Sequence, residues 1–143
     1  MEIRRIDDDR IEDALSVRRA VFVDEQGVPE DREIDGKDGD ATHFVAYDGG
    51  DPVGVARLRP YGKGDAETAK VERVAVLADR RGDGLGRELM ATAEETAREE
   101  GYTEVVLHAQ LPVVSFYAGL GYDPVGEPFE DAGIEHREMR KRL

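Results

Sequence analysis

The chain has 143 residues, 39% of them apolar, which suits one compact domain over residues 1–143. It carries 33 acidic against 20 basic residues, a formal charge of −13, and a surface of that sign repels nucleic acid phosphate. The absence of cysteine excludes disulfides, thiolate metal sites and a cysteine nucleophile.

No run approaches the roughly 18 apolar residues that a membrane span needs. Met1–Arg5 lacks the apolar stretch of a secretory signal, so a cytoplasmic location is expected. The basic residues comprise 16 Arg and only 4 Lys (Lys37, Lys63, Lys70 and Lys141). Acid excess with few lysines suits a halophile, where molar salt cuts the Debye length to about 3 Å and screens self-repulsion. An ordinary acidic cytosolic protein is the alternative.

In chain order, Met1–Ile6 reads as a short strand. Asp7-Asp8-Asp9 supplies a helix N-cap and negative charge at the positive end of the helix dipole. Ile11, Leu15, Arg18 and Phe22 share a helical face, which predicts a helix to about Val23. Asp24–Asp40, rich in Gly, Pro and charge, reads as a long loop. Thr42–Asp48 is a strand, Asp48-Gly49-Gly50-Asp51 a hairpin turn, and Pro52–Pro60 the returning strand. Tyr61–Ala69 reads as a polar loop and Lys70–Leu77 as a fourth strand. Leu85, Leu89, Ala93 and Ala97 recur every four residues, so Gly84–Glu100 is a helix, with Gly101 as its C-cap glycine. Thr103–Ala109 is a fifth strand and Val113–Leu120 a short helix. Two last strands fall near Tyr122–Glu127 and Glu135–Leu143. The order β-α-β-β-β-α-β-α-β-β implies an α/β (α+β) fold: a mixed sheet of about seven strands with helices on both faces.

The loop Arg81-Gly82-Asp83-Gly84-Leu85-Gly86-Arg87 follows a strand and opens a helix. Its glycines let backbone N–H groups approach an anion, and the helix points its positive end there. Glycine spacing alone also fits a plain strand-to-helix turn. A Walker A loop is excluded, because Arg87-Glu88 stand where Lys-Ser/Thr would follow the glycine. A dinucleotide fingerprint would begin nearer the strand end and close its second strand with an acidic residue. Here that strand ends in His108-Ala109-Gln110.

With Val74-Ala75-Val76 before it, Arg81-x-x-Gly84-x-Gly86 resembles the acetyl-CoA signature of the GNAT N-acetyltransferase superfamily. Phe116-Tyr117-x-x-Leu120-Gly121-Tyr122 resembles its second motif. Arg19, Val21-Phe22-Val23 and Glu25-Gln26-Gly27-Val28-Pro29, followed by Glu33, Asp35 and His43, are similar to the ElaA/YjcF-like branch. The resemblance implies acetyl-CoA as co-substrate and a sheet splayed after the fourth strand; His43 with Glu and Asp residues could suggest a metal, but no tight ligand spacing appears, so none is expected. The backbone of Val74, Ala75 and Val76 would pair with the pantetheine arm, with the Val76 N–H reaching the thioester carbonyl. Arg81, Gly82, Asp83, Gly84, Leu85, Gly86 and Arg87 would hold the pyrophosphate. Gln110 stands where the family often has a cofactor-contacting Asn.

Acetyl transfer to an amine needs a base for the amine, an oxyanion stabiliser and an acid for the thiolate. Tyr117 matches the family's acid, and is otherwise a core aromatic. Glu72 would share a face with Val74 and Val76 by alternation and is a candidate base, or a strand glutamate paired with Arg57 or Arg73. His108 is a second candidate base at the sheet opening. The resemblance places Glu25, Gln26, Glu33 and His43 in the acceptor region, with Asp35, where carboxylates would suit a cationic amine. Solvated charge is the alternative for the carboxylates, and a satisfied hydrogen bond for the histidines. Two other functions stay open: a non-catalytic acyl-CoA-sensing module and an acidic interaction protein. A homodimer through exposed edge strands is the expected assembly, if any.

Overall fold

The computed structural model describes residues 1–61 and 67–143. The middle of the loop expected over Tyr61–Ala69 lies outside those residues. Seven strands form one sheet: β1 (Glu2–Ile6), β2 (Thr42–Asp48), β3 (Asp51–Pro60), β4 (Thr68–Val76), β5 (Glu104–Gln110), β6 (Asp123–Asp131) and β7 (Ile134–Arg142). Their spatial order is β1-β2-β3-β4-β5-β7-β6. Among the described residues only the β4–β5 pair is parallel, and α3 makes the crossover that joins it.

Four α-helices accompany the sheet: α1 (Ile11–Arg18), α2 (Glu30–Glu33), α3 (Leu85–Glu99) and α4 (Val114–Gly119). The helix expected to reach Val23 does not stay α. It continues from Arg19 to Glu25 as a π-helical segment, which places Glu25 and Gln26 at its far end. The long loop after it contains α2.

Two apolar clusters flank the sheet. Leu85, Leu89, Met90, Ala93 and Ala97 of α3 bury against Phe44, Ala56, Leu58 and Val71. The four-residue apolar spacing read in α3 is thus its packed face. On the other side, Ala14, Val17 and Val21 pack on Val45, Val55 and Ala75. Asp48 and Asp51 pair directly, leaving Gly49 (φ 60°) and Gly50 (φ 98°) as the two loop residues. Two successive positive φ angles define the type I′ turn that matches strand twist.

Besides a register shift between β2 and β3 at Ala46/Tyr47, two bulges shape the middle and end of the sheet. Arg57 pairs with Glu72 but Val55 with Ala75, so β4 carries an extra residue. Arg73 takes it up at φ 56°. Alternation therefore resets: Val71, Val74 and Val76 all pack towards α3, and Ala75 towards α1. The second bulge lies in β6, between Val125 and Phe129. It lets β6 continue to Asp131, past the expected end near Glu127, and close on β7 through Ala132 and Gly133.

Candidate active site

β4 and β5 pair only from Thr68↔Glu104 to Val71↔Leu107. Beyond Val71 the strands part, and β5 continues antiparallel to β7. A cleft of about 670 Å³ fills the gap. Its walls include Val74–Val76, Gly82, Gly84–Arg87, His108–Gln110, Phe116 and Tyr117. The expected splay, the glycine loop and the tyrosine thus meet in one place.

The backbone of β4 is available to a ligand there. The Leu77 N–H donates to the Val53 carbonyl at 2.9 Å. Backbone groups alternate in direction along a strand, so the Val76 N–H and C=O face away from β3, into the gap. The Val76 carbonyl is taken by Arg81 Nε at 2.9 Å, and its N–H is left for a ligand.

The glycines divide their work. Gly82 (φ 92°) and Gly84 (φ 82°) adopt left-handed backbone, with open space where a Cβ would stand. An anion can reach their N–H groups and the N-terminus of the 15-residue α3. Gly86 has another reason to be glycine: a Cβ there would meet Phe116 Cζ at 3.3 Å. It lets α3 approach α4.

The charge of Arg81 is already spent. Its guanidinium donates to both Glu25 oxygens at 2.8 Å, and that pairing holds the Glu25 carboxyl below its ordinary range. Arg81 therefore ties the loop to β4 and to the π-helical segment. Arg87 has no ion-pair partner among the described residues and borders the cleft. It is the uncommitted cation of the loop, whereas Asp83 is exposed beside it.

Tyr117 is nine-tenths buried (8% exposed) and borders the cleft. Burial pushes its hydroxyl up to about 12, so it holds its proton. Its hydroxyl has no protein partner among the described residues. Gln110 Nε2 donates to Gln26 Oε1 at 2.9 Å, which links β5 to the π-helical segment across the cleft mouth.

The acceptor side departs from expectation. A second cavity of about 380 Å³ adjoins the cleft, between β4, the Val28–Lys37 stretch and the β6–β7 hairpin. Glu33 and Asp35 border it, but both are committed to arginines. Glu33 is 2% exposed and accepts from Arg18 Nε and Nη2 at 2.9 Å and from Arg73 Nε at 2.7 Å. Burial raises the Asp35 carboxyl, but Arg57, the Lys37 N–H and Arg73 outweigh it and hold it well below the usual range. His43 reaches neither cavity. It is buried against the loop, with Nε2 3.0 Å from the Asp38 carbonyl.

Glu72 is also moved from its expected place. The bulge at Arg73 puts it on the α1 face, opposite the side of Val74 and Val76, where it still borders both the cleft and the second cavity. It bonds Arg59 and lies 3.3 Å from Arg57 and 3.5 Å from Lys70. Burial raises its carboxyl, yet these three cations together leave it below its ordinary value. Such a carboxylate is a weak base. His108 borders the cleft, its Nε2 3.4 Å from Glu138. Burial and the Lys70 charge outweigh Glu138 and lower its pKa, so its neutral form is favoured.

The sequence reading missed His136, which borders both cavities, and the buried Arg18–Glu33 and Arg57–Asp35–Asp38 pairs. Strand register alone could have flagged His136, since it stands opposite Gln110.

Residues 8–143 match the family described as Acetyltransferase (GNAT) domain. The chain belongs to the GNAT acetyltransferase family. It is 40% identical over 138 residues to the uncharacterized N-acetyltransferase YjcF of Bacillus subtilis, covering 94% of each chain. The crystal structure of Escherichia coli ElaA superposes with a TM-score of 0.86 at 31% identity, over 98% of both chains. The GNAT fold extends further: an acetyltransferase from Elizabethkingia anophelis with acetyl-CoA bound gives a TM-score of 0.70 at 15% identity, over 99% of this chain and 97% of that one. The splayed sheet of the chain is therefore that of a GNAT protein.

Proposed function

We propose that the chain transfers the acetyl group of acetyl-CoA directly to a primary amine of a small molecule or peptide. One observation carries this: the open gap in the sheet joins an anion cradle at Gly82–Gly84 to a buried, protonated Tyr117. A pantetheine arm would lie along Val74–Val76, adding to β4 through its free backbone groups. The pyrophosphate would meet the Gly82 and Gly84 N–H groups, the α3 N-terminus and Arg87. Leu85 and Gly86 would shape that turn, and Gln110 would close the mouth. The Val76 N–H would stabilise the oxyanion and Tyr117 would protonate the departing thiolate. Amine acceptors would enter from the second cavity. Glu25 and Gln26 would frame the entrance through Arg81 and Gln110, without offering a free carboxylate.

The −13 charge supports a salt-rich cytoplasm as the working environment. The free sheet edges, β1 and β6, are where a second copy would add.

The test is thiol release from acetyl-CoA with a panel of primary amines in molar KCl, alongside calorimetric titration of acetyl-CoA. Turnover with at least one amine is expected. Tyr117→Phe should lower it about 10- to 100-fold and leave acetyl-CoA affinity nearly intact. Tight binding without turnover by any amine would instead identify an acyl-CoA-sensing module. No binding at all would leave an acidic interaction protein.

A further inference from the structure

His136 lies on β7, opposite Gln110 of β5 and Phe129 of β6. It is 9% exposed, and its ring stacks on Phe129 at 5.8 Å and 21°. His108 meets the same phenyl ring edge-on at 4.9 Å and 77°. The three rings form one rigid group on adjacent strands.

The His136 tautomer follows from its partner. Nδ1 is 2.7 Å from the Ile134 carbonyl oxygen. A carbonyl only accepts, so Nδ1 carries the hydrogen. In the neutral ring Nε2 is then the lone-pair nitrogen, and it has no protein partner among the described residues. His136 borders both the cofactor cleft and the second cavity, whereas His108 borders the cleft alone.

The other candidate bases are weaker on geometry. Glu72 is shared among Arg57, Arg59 and Lys70. His108 already has Glu138 on its Nε2. The charged and polar groups that line the second cavity with His136 are Lys70, Glu72 and Arg73 of β4, Gln110 of β5, Asp131 of β6, and Gln26, Asp31, Arg32, Glu33, Asp35 and Lys37 of the segment before β2; His108 joins it on the cleft side. Lys70 is paired with Glu72, Arg73 with Glu33 and Asp35, and Asp131 with Arg32.

We propose that His136 is the general base of the reaction, acting through Nε2 where the two cavities join. This rests on the acetyl-transfer reading above. An entering ammonium gives one proton to Nε2 and becomes the free amine. The nitrogen lone pair forms the C–N bond to the thioester carbon and the C–S bond breaks. Tyr117 protonates the thiolate and recovers a proton from the new amide nitrogen. The imidazolium returns its proton to solvent, so the products are the amide, CoA thiol and one proton.

The test uses the full chain in molar KCl, with ethylamine and 2,2,2-trifluoroethylamine as probes. The second amine is already unprotonated near pH 7 and needs no base to free its lone pair. His136→Gln should lower kcat/KM for ethylamine about 100-fold and replace the wild-type limb that rises with pH by one at higher pH that follows deprotonation of the amine itself. Its loss with trifluoroethylamine should be under about 10-fold, and acetyl-CoA affinity should stay within about twofold. A pH limb unmoved from its wild-type position, or equal losses for both amines, would overturn the assignment and leave acetyl transfer standing. Thiol release by the wild-type chain with neither amine, despite acetyl-CoA binding, would overturn the transfer reading and the base together. If His136→Gln folds poorly by circular dichroism, His136→Asn keeps a donor for the Ile134 carbonyl and carries the same expectations.

Discussion

On the α3 side of β4, the cofactor cleft draws on residues close in sequence: Val74–Val76, the glycine loop and the first turn of α3. In the proposed reading it would hold the cofactor mainly through backbone N–H groups. On the α1 side, the floor of the second cavity is made of side chains brought together across the chain. Arg18 and Glu33 are 15 residues apart, and Glu33 and Arg73 are 40 apart. Arg18, Arg57 and Glu33 are almost wholly buried. The first region should therefore tolerate side-chain change and suffer from altered backbone. The second should respond in the opposite way.

The largest effect is expected on the α1 side. Arg18→Met removes one of the two arginine partners of a 2%-exposed Glu33 and one partner of Asp38. Breaking a buried pair outright costs about 3–5 kcal/mol; with Arg73 still on Glu33, a loss of about 2–3 kcal/mol is expected. Urea denaturation in 1 M KCl should show that loss, while acetyl-CoA affinity of the folded fraction stays within about threefold. An unchanged midpoint would mean that the buried pair contributes nothing.

Gly84→Ala should give the converse pattern. Gly84 sits at φ 82° with free space around it, so a methyl group clashes with nothing and only strains the turn. The left-handed conformation costs an alanine about 1–2 kcal/mol. Any relaxation away from it turns the N–H groups from the cradle. Titration should show acetyl-CoA bound about tenfold more weakly, with at most a small loss of stability. Equal affinity would remove the Gly84 backbone from the binding site.

The same contrast explains what could be read in advance. The seven strands, α3 and the hairpin at Gly49-Gly50 follow from periodicity and turn chemistry, which are local, whereas the cleft lining was legible through the resemblance of Val74–Val76, the glycine loop and Tyr117 to GNAT motifs. The displaced features each depend on one inserted residue and a distant partner. The π-helical segment puts Glu25 on Arg81, 56 residues away. The β4 bulge sets Arg73 at φ 56°, where its guanidinium reaches Glu33 and offsets the backbone cost. That single residue moves Glu72 to the opposite face. His136 becomes visible only once β5, β6 and β7 are in register.

Acid should weaken the α1 side selectively. Asp35, Asp38 and Glu72 all have carboxyls held below their unfolded values by arginine and lysine partners, against the opposing pull of burial. Their contribution is complete above the unfolded carboxylate range, near pH 4, and is lost as pH falls through their lower folded values. His108 acts in the same direction, since a lowered imidazole pKa favours the folded state at higher pH. Unfolding free energies measured by urea denaturation should fall by less than about 1 kcal/mol from pH 7 to pH 4 after solvent screening, and steeply below pH 4. In Arg18→Met the slope should flatten, because Asp38 loses one of the cations that depress it.

The smallest effect is a gain. The β6–β7 hairpin overhangs the second cavity through Asp131, Ala132 and Ile134. Asp131 pairs with Ile134, so Ala132 and Gly133 form a two-residue turn with φ of 53° and 76°. That turn is the same type as Gly49-Gly50, but with an alanine in its first left-handed position. Asparagine enters this conformation more easily than alanine, because its side chain bonds the local backbone. Ala132→Asn should stabilise the chain by about 0.5–1 kcal/mol and raise Tm by about 2 °C. Calorimetric melting in 1 M KCl measures it. The hairpin also carries Phe129 and His136, so the variant separates turn strain from cavity function. Strain that only costs stability predicts higher Tm with unchanged turnover; lower turnover would show that the strained turn positions His136 over the acceptor cavity.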